Sequence, residues 1–145
     1  MNALNPDLSA FQSRGHKLIV YHGWADWLVP PGEAINYRQA VLMYRARKAG
    51  KSSTGAVERE TDDFYRLFMI PGMAHCAGGP GLTSFSGLDA LVKWVEEGVA
   101  PESIVATGKP GGVPTGRPVC PYPQVARYRG SGPVNEASSF GCPKP

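Results

Sequence analysis

The sequence predicts an α/β fold built on a parallel sheet. Two apolar segments of strand length, residues 17–21 and 63–70, are each followed by a glycine-rich loop and later by a helical pattern, over residues 32–47 and 87–97. The order strand, loop, helix, loop, strand, loop, helix is typical of parallel strands joined by crossover helices. Because a parallel sheet of two strands leaves faces and edges uncovered, we expect these elements to belong to a larger sheet.

The first strand, over residues 17–21, lies between Gly15 and Gly23 and is rich in β-branched residues. A short apolar run bounded in this way is typical of a strand buried on both faces. Residues 48–61, between the first helix and the second strand, contain glycine, serine and charged residues without a period. This composition predicts a surface loop.

The helix over residues 87–97 has the clearest pattern. Ser86 and Asp89 have the spacing of a capping box, and Gly98 supplies a C-terminal stop. Apolar residues repeat at the spacing of one helix face: Leu88, Leu91, Val92 and Val95. Trp94 lies off the stripe, so we expect it to contact a neighbouring element or another part of the protein.

The composition predicts a folded protein without a strongly basic surface. Apolar residues make up 42% of the 145 residues, which excludes wholesale disorder. A net charge of +3 with 19% charged residues does not give the basic stripe of a nucleic-acid-binding protein. No run of about 18 apolar residues indicates a membrane-spanning helix, and residues 1–7 do not resemble a signal peptide. We expect no nucleic acid or membrane as partner, and no targeting segment in this chain.

The C-terminal part of the chain is expected to be irregular. Glycine and proline account for 18 and 14 residues, and both are frequent after about residue 106. We therefore divide the chain into residues 1–106, the α/β part, and residues 107–145, a tail of the same domain with little regular structure.

Asp26 and His75 are candidates for catalytic chemistry. Asp26 lies five residues after Tyr21, and His75 lies five residues after Ile70, so each follows a predicted strand. Because the carboxyl ends of parallel strands share one edge of the sheet, we expect the two side chains to lie close together. Such a pair is the orienting half of a nucleophilic triad. The carboxylate fixes the tautomer of the imidazole, and the imidazole takes the proton from the nucleophile.

The pattern alone leaves other interpretations open. An aspartate in a glycine-rich loop is often a turn or cap residue, and a histidine beside a cysteine can be structural or metal-binding. Cys76, Cys120 and Cys142 lack the short spacing of a metal site, so we expect no metal. In α/β-hydrolases the triad order is Ser, Asp, His, with the serine in a G-x-S-x-G elbow. The sequence contains no such elbow.

Three motifs resemble the tannase and feruloyl esterase family. Residues 22–31, HGWADWLVPP, are similar to the acid loop of that family, and residues 64–76, FYRLFMIPGMAHC, to its histidine loop. Residues 117–128, RPVCPYPQVARY, resemble its C-terminal tail, as does the stretch over residues 130–142. The resemblance extends over most of residues 6–142 and covers only the carboxy-terminal part of the usual chain of the family.

The resemblance implies a secreted or periplasmic serine esterase of α/β-hydrolase fold with an inserted lid domain. Members hydrolyse esters of aromatic acids such as gallic and ferulic acid. Asp26 would be the triad acid and His75 the general base. The nucleophilic serine and the lid would lie in a preceding part of the enzyme, which we expect to be a partner of this chain. No cofactor is expected, although the lid of family members can hold a structural calcium.

The resemblance also implies roles for the cysteines. Cys76 occupies the position that pairs with a cysteine just before the nucleophilic serine, and that partner is absent from this sequence. Cys120 and Cys142 match the C-terminal disulfide of the family. A bridge over a loop of that size stabilises an irregular tail by about 3 kcal/mol in the chain-entropy model. The alternative is three reduced thiols in a cytosolic fragment.

Two tryptophans, Trp24 and Trp27, flank Asp26. Trp27 is a candidate substrate-binding residue for an aromatic ester, with packing of the loop as the alternative. We expect Trp24 to pack and His22 to be structural. The alternative for the whole chain is a truncated, non-catalytic domain that binds other proteins through an exposed sheet edge.

Overall fold

The computed structural model describes residues 4–75 and 77–143. The helices are α1 (Ser9–Ser13), α2 (Gly32–Lys48), α3 (Gly55–Asp62) and α4 (Gly87–Glu97). The strands are β1 (Leu18–Gly23), β2 (Tyr65–Ile70), β3 (Ser84–Phe85), β4 (Ile104–Gly108), β5 (Thr115–Val119), β6 (Arg127–Tyr128) and β7 (Phe140–Gly141). In these two ranges, no helix has the length and apolar character needed to cross a membrane.

A parallel pair of strands confirms the α/β prediction. β1 and β2 pair in register from Leu18 opposite Tyr65 to Gly23 opposite Ile70, with α2 and α3 in the connection between them. β1 is less buried than predicted, and Tyr21 is 43% exposed. The reason is that β1 lies at an edge, since β2 is the strand with which it pairs in the described part of the chain.

Alternate side chains of β2 enter two apolar clusters on opposite faces of the strand pair. One cluster combines β2 with α2: Val41, Phe64, Tyr65, Leu67 and Met69. The other combines β2 with the loop after it and with the C-terminal sheet: Phe68, Ile70, Met73, Ile104, Ala106 and Val119. β2 is therefore buried on both faces, and the loop that follows it starts from a rigid strand.

The tail contains more regular structure than predicted. β3, β4 and β5 form an antiparallel sheet, and β6 pairs with β7. β4 crosses residue 106, where irregular structure was expected to begin. Proline is tolerated in this sheet because β5 is an edge strand, in which Pro118 lies opposite Val105. The high glycine and proline content therefore predicted too little regular structure for the tail.

Cys120 and Cys142 form the predicted disulfide, with their Cα atoms 5.6 Å apart. Cys120 directly follows β5, and Cys142 directly follows β7. The backbone N–H of Tyr122 donates to the carbonyl of Leu67 at 2.7 Å, so the segment beside the bridge is also tied to β2. The bridge thus joins the last hairpin to the strands that carry the core.

The surface loop predicted over residues 48–61 is wrong, because α3 occupies its second half. The helix has few apolar residues, but Val57 is buried against α2. Arg38 of α2 is 1% exposed and donates to Glu58 at 3.1 Å and to Asp62 at 2.8 Å. These contacts with α2 stabilise α3. Because the stabilising partners belong to another helix, the sequence of α3 itself shows no apolar period.

The bounds of α4 agree with the prediction. The helix ends before Gly98, whose φ of 71° lies in the left-handed region that glycine tolerates. The capping box is not formed, because the hydroxyl of Ser86 donates to the carboxylate of Asp89 and no side chain caps the backbone of the first turn.

The aliphatic stripe of α4 is exposed, and Trp94 on another side of the helix is buried. Leu88 and Val95 are 72% and 59% exposed, whereas Trp94 is 2% exposed. The Trp94 ring lies 5.4 Å from the Lys17 ammonium and 5.5 Å from the Arg66 guanidinium, measured to the ring centroid. These cation–π contacts and the size of the indole turn the Trp94 side of the helix inward. Trp94 therefore contacts neighbouring elements, as expected, and the aliphatic stripe faces outward.

Candidate active site

The structure brings Asp26 and His75 together. Asp26 lies in the loop after β1, and His75 lies in the loop after β2. Parallel pairing places Gly23 opposite Ile70, so both loops start at the same edge of the sheet. Nδ1 of His75 is 2.9 Å from Oδ2 of Asp26.

Asp26 is a buried carboxylate whose two oxygens both accept hydrogen bonds. Its side chain is 4% exposed. Oδ1 accepts from the backbone N–H groups of Leu28 and Val29, each at 2.9 Å. Burial raises the pKa of Asp26, but the hydrogen bonds from Val29, His75 and Leu28 outweigh it and lower the pKa to about 2. Asp26 is therefore ionised at neutral pH.

The ionised carboxylate determines the tautomer of His75. Because Asp26 can only accept, the proton between the two groups belongs to Nδ1 of His75. In the neutral ring, Nε2 then carries the lone pair. The His75 side chain is 42% exposed, so the ring is accessible from solvent. A solvent-accessible imidazole oriented by a buried carboxylate has the geometry of a general base.

The two loops touch at Gly23. A Cβ atom on Gly23 would lie 2.1 Å from the carbonyl oxygen of Met73 and 2.7 Å from that of Ala74. The backbone N–H of Ala25 donates to the same Met73 oxygen at 3.0 Å. This close approach needs a residue without a side chain, and it sets the distance between the acid and the histidine.

Glycines also close the histidine loop on itself. Gly72 has a φ of 71°, and a Cβ there would lie 2.6 Å from Cα of Gly81. The N–H of Gly81 donates to the Gly72 carbonyl at 3.1 Å, and the N–H of Ala74 donates to the Gly78 carbonyl at 2.9 Å. The residue before His75 is thus held by backbone bonds across the loop.

A small cleft of about 170 Å³ lies at this edge. It is lined by Tyr21, His22, Gly23, Asp26, Val29 and His75. Trp27 is 81% exposed and is not among the lining residues. Trp24 is 48% exposed, so the expectation that it packs is wrong: the turn after Gly23 carries it outward.

His22, which we expected to be structural, touches the candidate acid. Its Nε2 lies 3.2 Å from Oδ2 of Asp26 and 3.1 Å from the carbonyl oxygen of Val29. The side chain is 14% exposed. The sequence feature that could have indicated this contact is the position of His22, four residues before Asp26 and near the end of β1.

The proposed pairing of Cys76 lies outside the described residues. Within residues 4–75 and 77–143, no three His, Cys, Asp or Glu side chains form a group that could hold a metal ion.

A family model described as tannase and feruloyl esterase matches residues 1–143. The chain belongs to the tannase and feruloyl esterase family. The match includes both Asp26 and His75.

Relatives in this family are ester hydrolases of much greater length. The chain is 44% identical over 147 residues to the mono(2-hydroxyethyl) terephthalate hydrolase of Piscinibacter sakaiensis. This alignment covers 99% of the chain and 22% of the relative. It is 44% identical over 145 residues to a probable feruloyl esterase of Arthroderma benhamiae, with 97% and 25% covered. The chain therefore spans about a quarter of the length of these relatives.

A solved family structure shows the same fold. The chain superposes on the crystal structure of feruloyl esterase B from Aspergillus oryzae with a TM-score of 0.74 and 34% sequence identity. The superposition covers 96% of this chain and 29% of that chain. The fold is the carboxy-terminal part of the α/β-hydrolase type found in tannases and feruloyl esterases.

Proposed function

We propose that this chain supplies the acid and the general base of a Ser-His-Asp carboxylic ester hydrolase. The observation that carries the proposal is the 2.9 Å contact between His75 Nδ1 and the ionised Asp26. It leaves Nε2 of His75 as the proton acceptor at an exposed edge of the sheet. Family membership supports the same chemistry, because the relatives are esterases.

In the proposed reaction, His75 Nε2 takes the proton from a serine hydroxyl while the serine oxygen attacks the ester carbonyl carbon. The tetrahedral intermediate collapses, the bond to the alcohol oxygen breaks, and His75 returns the proton to the leaving alcohol. Water then attacks the acyl-serine, again losing a proton to His75, and the acid is released as the serine recovers its proton. Asp26 stabilises the charged imidazolium in both halves.

The serine is proposed to come from a preceding part of the enzyme, because the sequence has no G-x-S-x-G elbow. That part would pair with β1, whose outer edge is open in the described ranges. Cys76 would form a disulfide to a cysteine beside this serine. The reaction requires no cofactor, and a calcium site would belong to the lid.

The proposed substrates are esters of aromatic acids. The relatives support this class, since their names include a terephthalate hydrolase and a feruloyl esterase. In the chain itself, Trp24 and Trp27 are exposed beside Asp26, where they can contact an aromatic ring. Trp27 is the proposed substrate-binding residue. The Cys120–Cys142 disulfide supports a secreted or periplasmic enzyme, because such bridges persist in oxidising compartments.

The test joins this chain to the upstream part of a family relative that carries a serine elbow, and measures hydrolysis of an aryl ester. We expect activity that is lost in His75→Ala and retained in His16→Ala, a matched change of an exposed histidine. Full activity of the His75→Ala enzyme would overturn the assignment.

A second candidate is a non-catalytic interaction domain. The observation that favours it is the outward-facing aliphatic stripe of α4, in which Leu88 and Val95 are mostly exposed, together with the open edge of β1. Labelling of the joined protein with a fluorophosphonate distinguishes the two. Labelling of the elbow serine that is lost in His75→Ala supports the catalytic role, and labelling that is equal with and without His75 supports the interaction domain.

A further inference from the structure

We propose that His22 is a positioning residue that holds the acid loop, and with it Asp26, in place for His75; this rests on the function proposed above. Two histidines meet the same carboxylate oxygen. Nε2 of His22 lies 3.2 Å from Oδ2 of Asp26, and Nδ1 of His75 lies 2.9 Å from it.

The neighbours of His22 determine where its proton lies. Nε2 faces Oδ2 of Asp26 and, at 3.1 Å, the carbonyl oxygen of Val29. A carbonyl oxygen and an ionised carboxylate both accept, so Nε2 of His22 carries a hydrogen. This hydrogen is donated to the Val29 carbonyl oxygen, while Oδ2 of Asp26 lies 3.2 Å from the same nitrogen. His22 is thus the Nε2–H tautomer, whereas His75 is the Nδ1–H tautomer.

His22 holds the residue that in turn holds the carboxylate. Oδ1 of Asp26 accepts from the N–H groups of Leu28 and Val29. The bond from His22 to the Val29 carbonyl ties this end of the acid loop to β1, where the loop begins. Asp26 therefore lies in a loop that is fixed at both ends, with Oδ2 facing His75.

The burial of His22 agrees with this role. Its side chain is 14% exposed, and it lines the same cleft as the candidate pair. The titratable side chains that line this cleft with it are Tyr21, Asp26 and His75. Asp26 is the carboxylate among them, so His22 lies beside the group that orients the base, and its hydrogen bond holds the loop that carries this group.

The first test is independent of catalysis and uses the 145-residue chain labelled with ¹⁵N. Ring ¹⁵N spectra are expected to show His22 protonated at Nε2 and His75 protonated at Nδ1. In His22→Phe, which keeps a ring but removes the donor, the His75 Nδ1–H resonance is expected to shift. In His22→Gln, whose amide nitrogen can reach the same position, this resonance should stay close to that of the unaltered chain.

The second test measures hydrolysis of an aryl ester by the chain joined to an upstream part with a serine elbow. His22→Phe is expected to lower kcat about tenfold with little change in KM, since the hydrogen bond that holds the acid loop at Val29 is lost. His22→Gln should recover most of the rate.

The proposal is overturned if His22 carries its proton on Nδ1, or if His22→Phe changes neither the His75 resonance nor kcat. It is equally overturned if Gln and Phe are impaired alike, because hydrogen-bond donation would then not be the role of His22. If the spectra agree and the unaltered joined enzyme hydrolyses no ester, the proposed function fails while the positioning geometry stands.

Discussion

Nδ1 of His75 and Oδ2 of Asp26 are 2.9 Å apart, although 49 residues separate them in the sequence. Each loop is anchored to a strand of the parallel pair, and the loops touch through Gly23. The distance is therefore set by the sheet edge and not by either loop alone. Substitution of Asp26 should therefore lower kcat, whereas substitution of Gly23 between the loops should lower the free energy of unfolding.

The first prediction concerns the charge of the acid. Asp26→Asn places an amide opposite His75, and an amide N–H facing the ring favours the tautomer that blocks Nε2. In the joined enzyme, kcat for an aryl ester should fall by about 10⁴, the effect of this change in a serine-protease triad. Asp63→Asn alters an exposed aspartate away from the cleft and should leave kcat unchanged. Equal activities of the two variants would contradict the role of Asp26.

The second prediction concerns the contact between the loops. In Gly23→Ala the new Cβ would lie 2.1 Å from the Met73 carbonyl oxygen, so one loop must move. We expect a loss of about 3 kcal/mol in the free energy of unfolding. Gly32→Ala is the matched control, because no atom lies within 4 Å of its Cβ position. Urea denaturation of both variants measures the difference, and a Gly23→Ala chain as stable as Gly32→Ala is the contrary result.

The third prediction concerns pH. Asp26 has a pKa of about 2 in the folded chain against a usual value of 3.8. A carboxyl whose pKa is lowered by folding stabilises the folded state above the unfolded value, and this contribution is lost as the pH falls. The free energy of unfolding should therefore decrease from about pH 4 towards pH 2, and less steeply in Asp26→Asn.

Asp7 provides the control for this titration. Hydrogen bonds from Ser9 and Tyr44 also lower its pKa to about 2, at a site remote from the cleft. In Asp7→Asn the free energy of unfolding should lose the pH dependence that Asp7 contributes and keep the part that Asp26 contributes. If the slope in Asp26→Asn equals that of the unaltered chain, the carboxylate is not stabilised as described.

The meeting of Asp26 and His75 could be predicted because it depends on local signals. Each residue follows an apolar strand, and parallel neighbours share an edge. The same holds for the bounds of α4, where Gly98 supplies the stop. Pairing of Cys120 with Cys142 was expected from the family resemblance and is present.

Features that depend on distant partners were not predictable from the pattern. α3 is stabilised by the buried Arg38 of another helix, and its own sequence shows no apolar period. The inward face of α4 is set by Trp94 between Lys17 and Arg66, which belong to two strand regions. The contact of His22 with Asp26 depends on how the acid loop turns back on β1.

The fourth prediction concerns the disulfide. Cys120 and Cys142 close a separation of 22 residues around the last hairpin. Replacing both with serine should lower the free energy of unfolding by about 3 kcal/mol in the chain-entropy model. A reducing agent should destabilise the unaltered chain by a similar amount and leave the double variant unchanged. The denaturation midpoints of both chains are measured with and without the reductant. A reduced chain as stable as the oxidised chain would contradict the prediction.

The fifth prediction concerns α4 and separates its two faces. Trp94→Ala should destabilise the 145-residue chain by about 3–5 kcal/mol, because the indole is 2% exposed. Leu88→Ala should change its stability by less than about 0.5 kcal/mol, because that side chain is 72% exposed. If the upstream part of the enzyme covers the aliphatic stripe, Leu88→Ala should become costly in the joined protein while the cost of Trp94→Ala changes little. Unfolding measured in both forms tests this, and a Leu88→Ala effect that is equally small in both would show that the stripe stays uncovered.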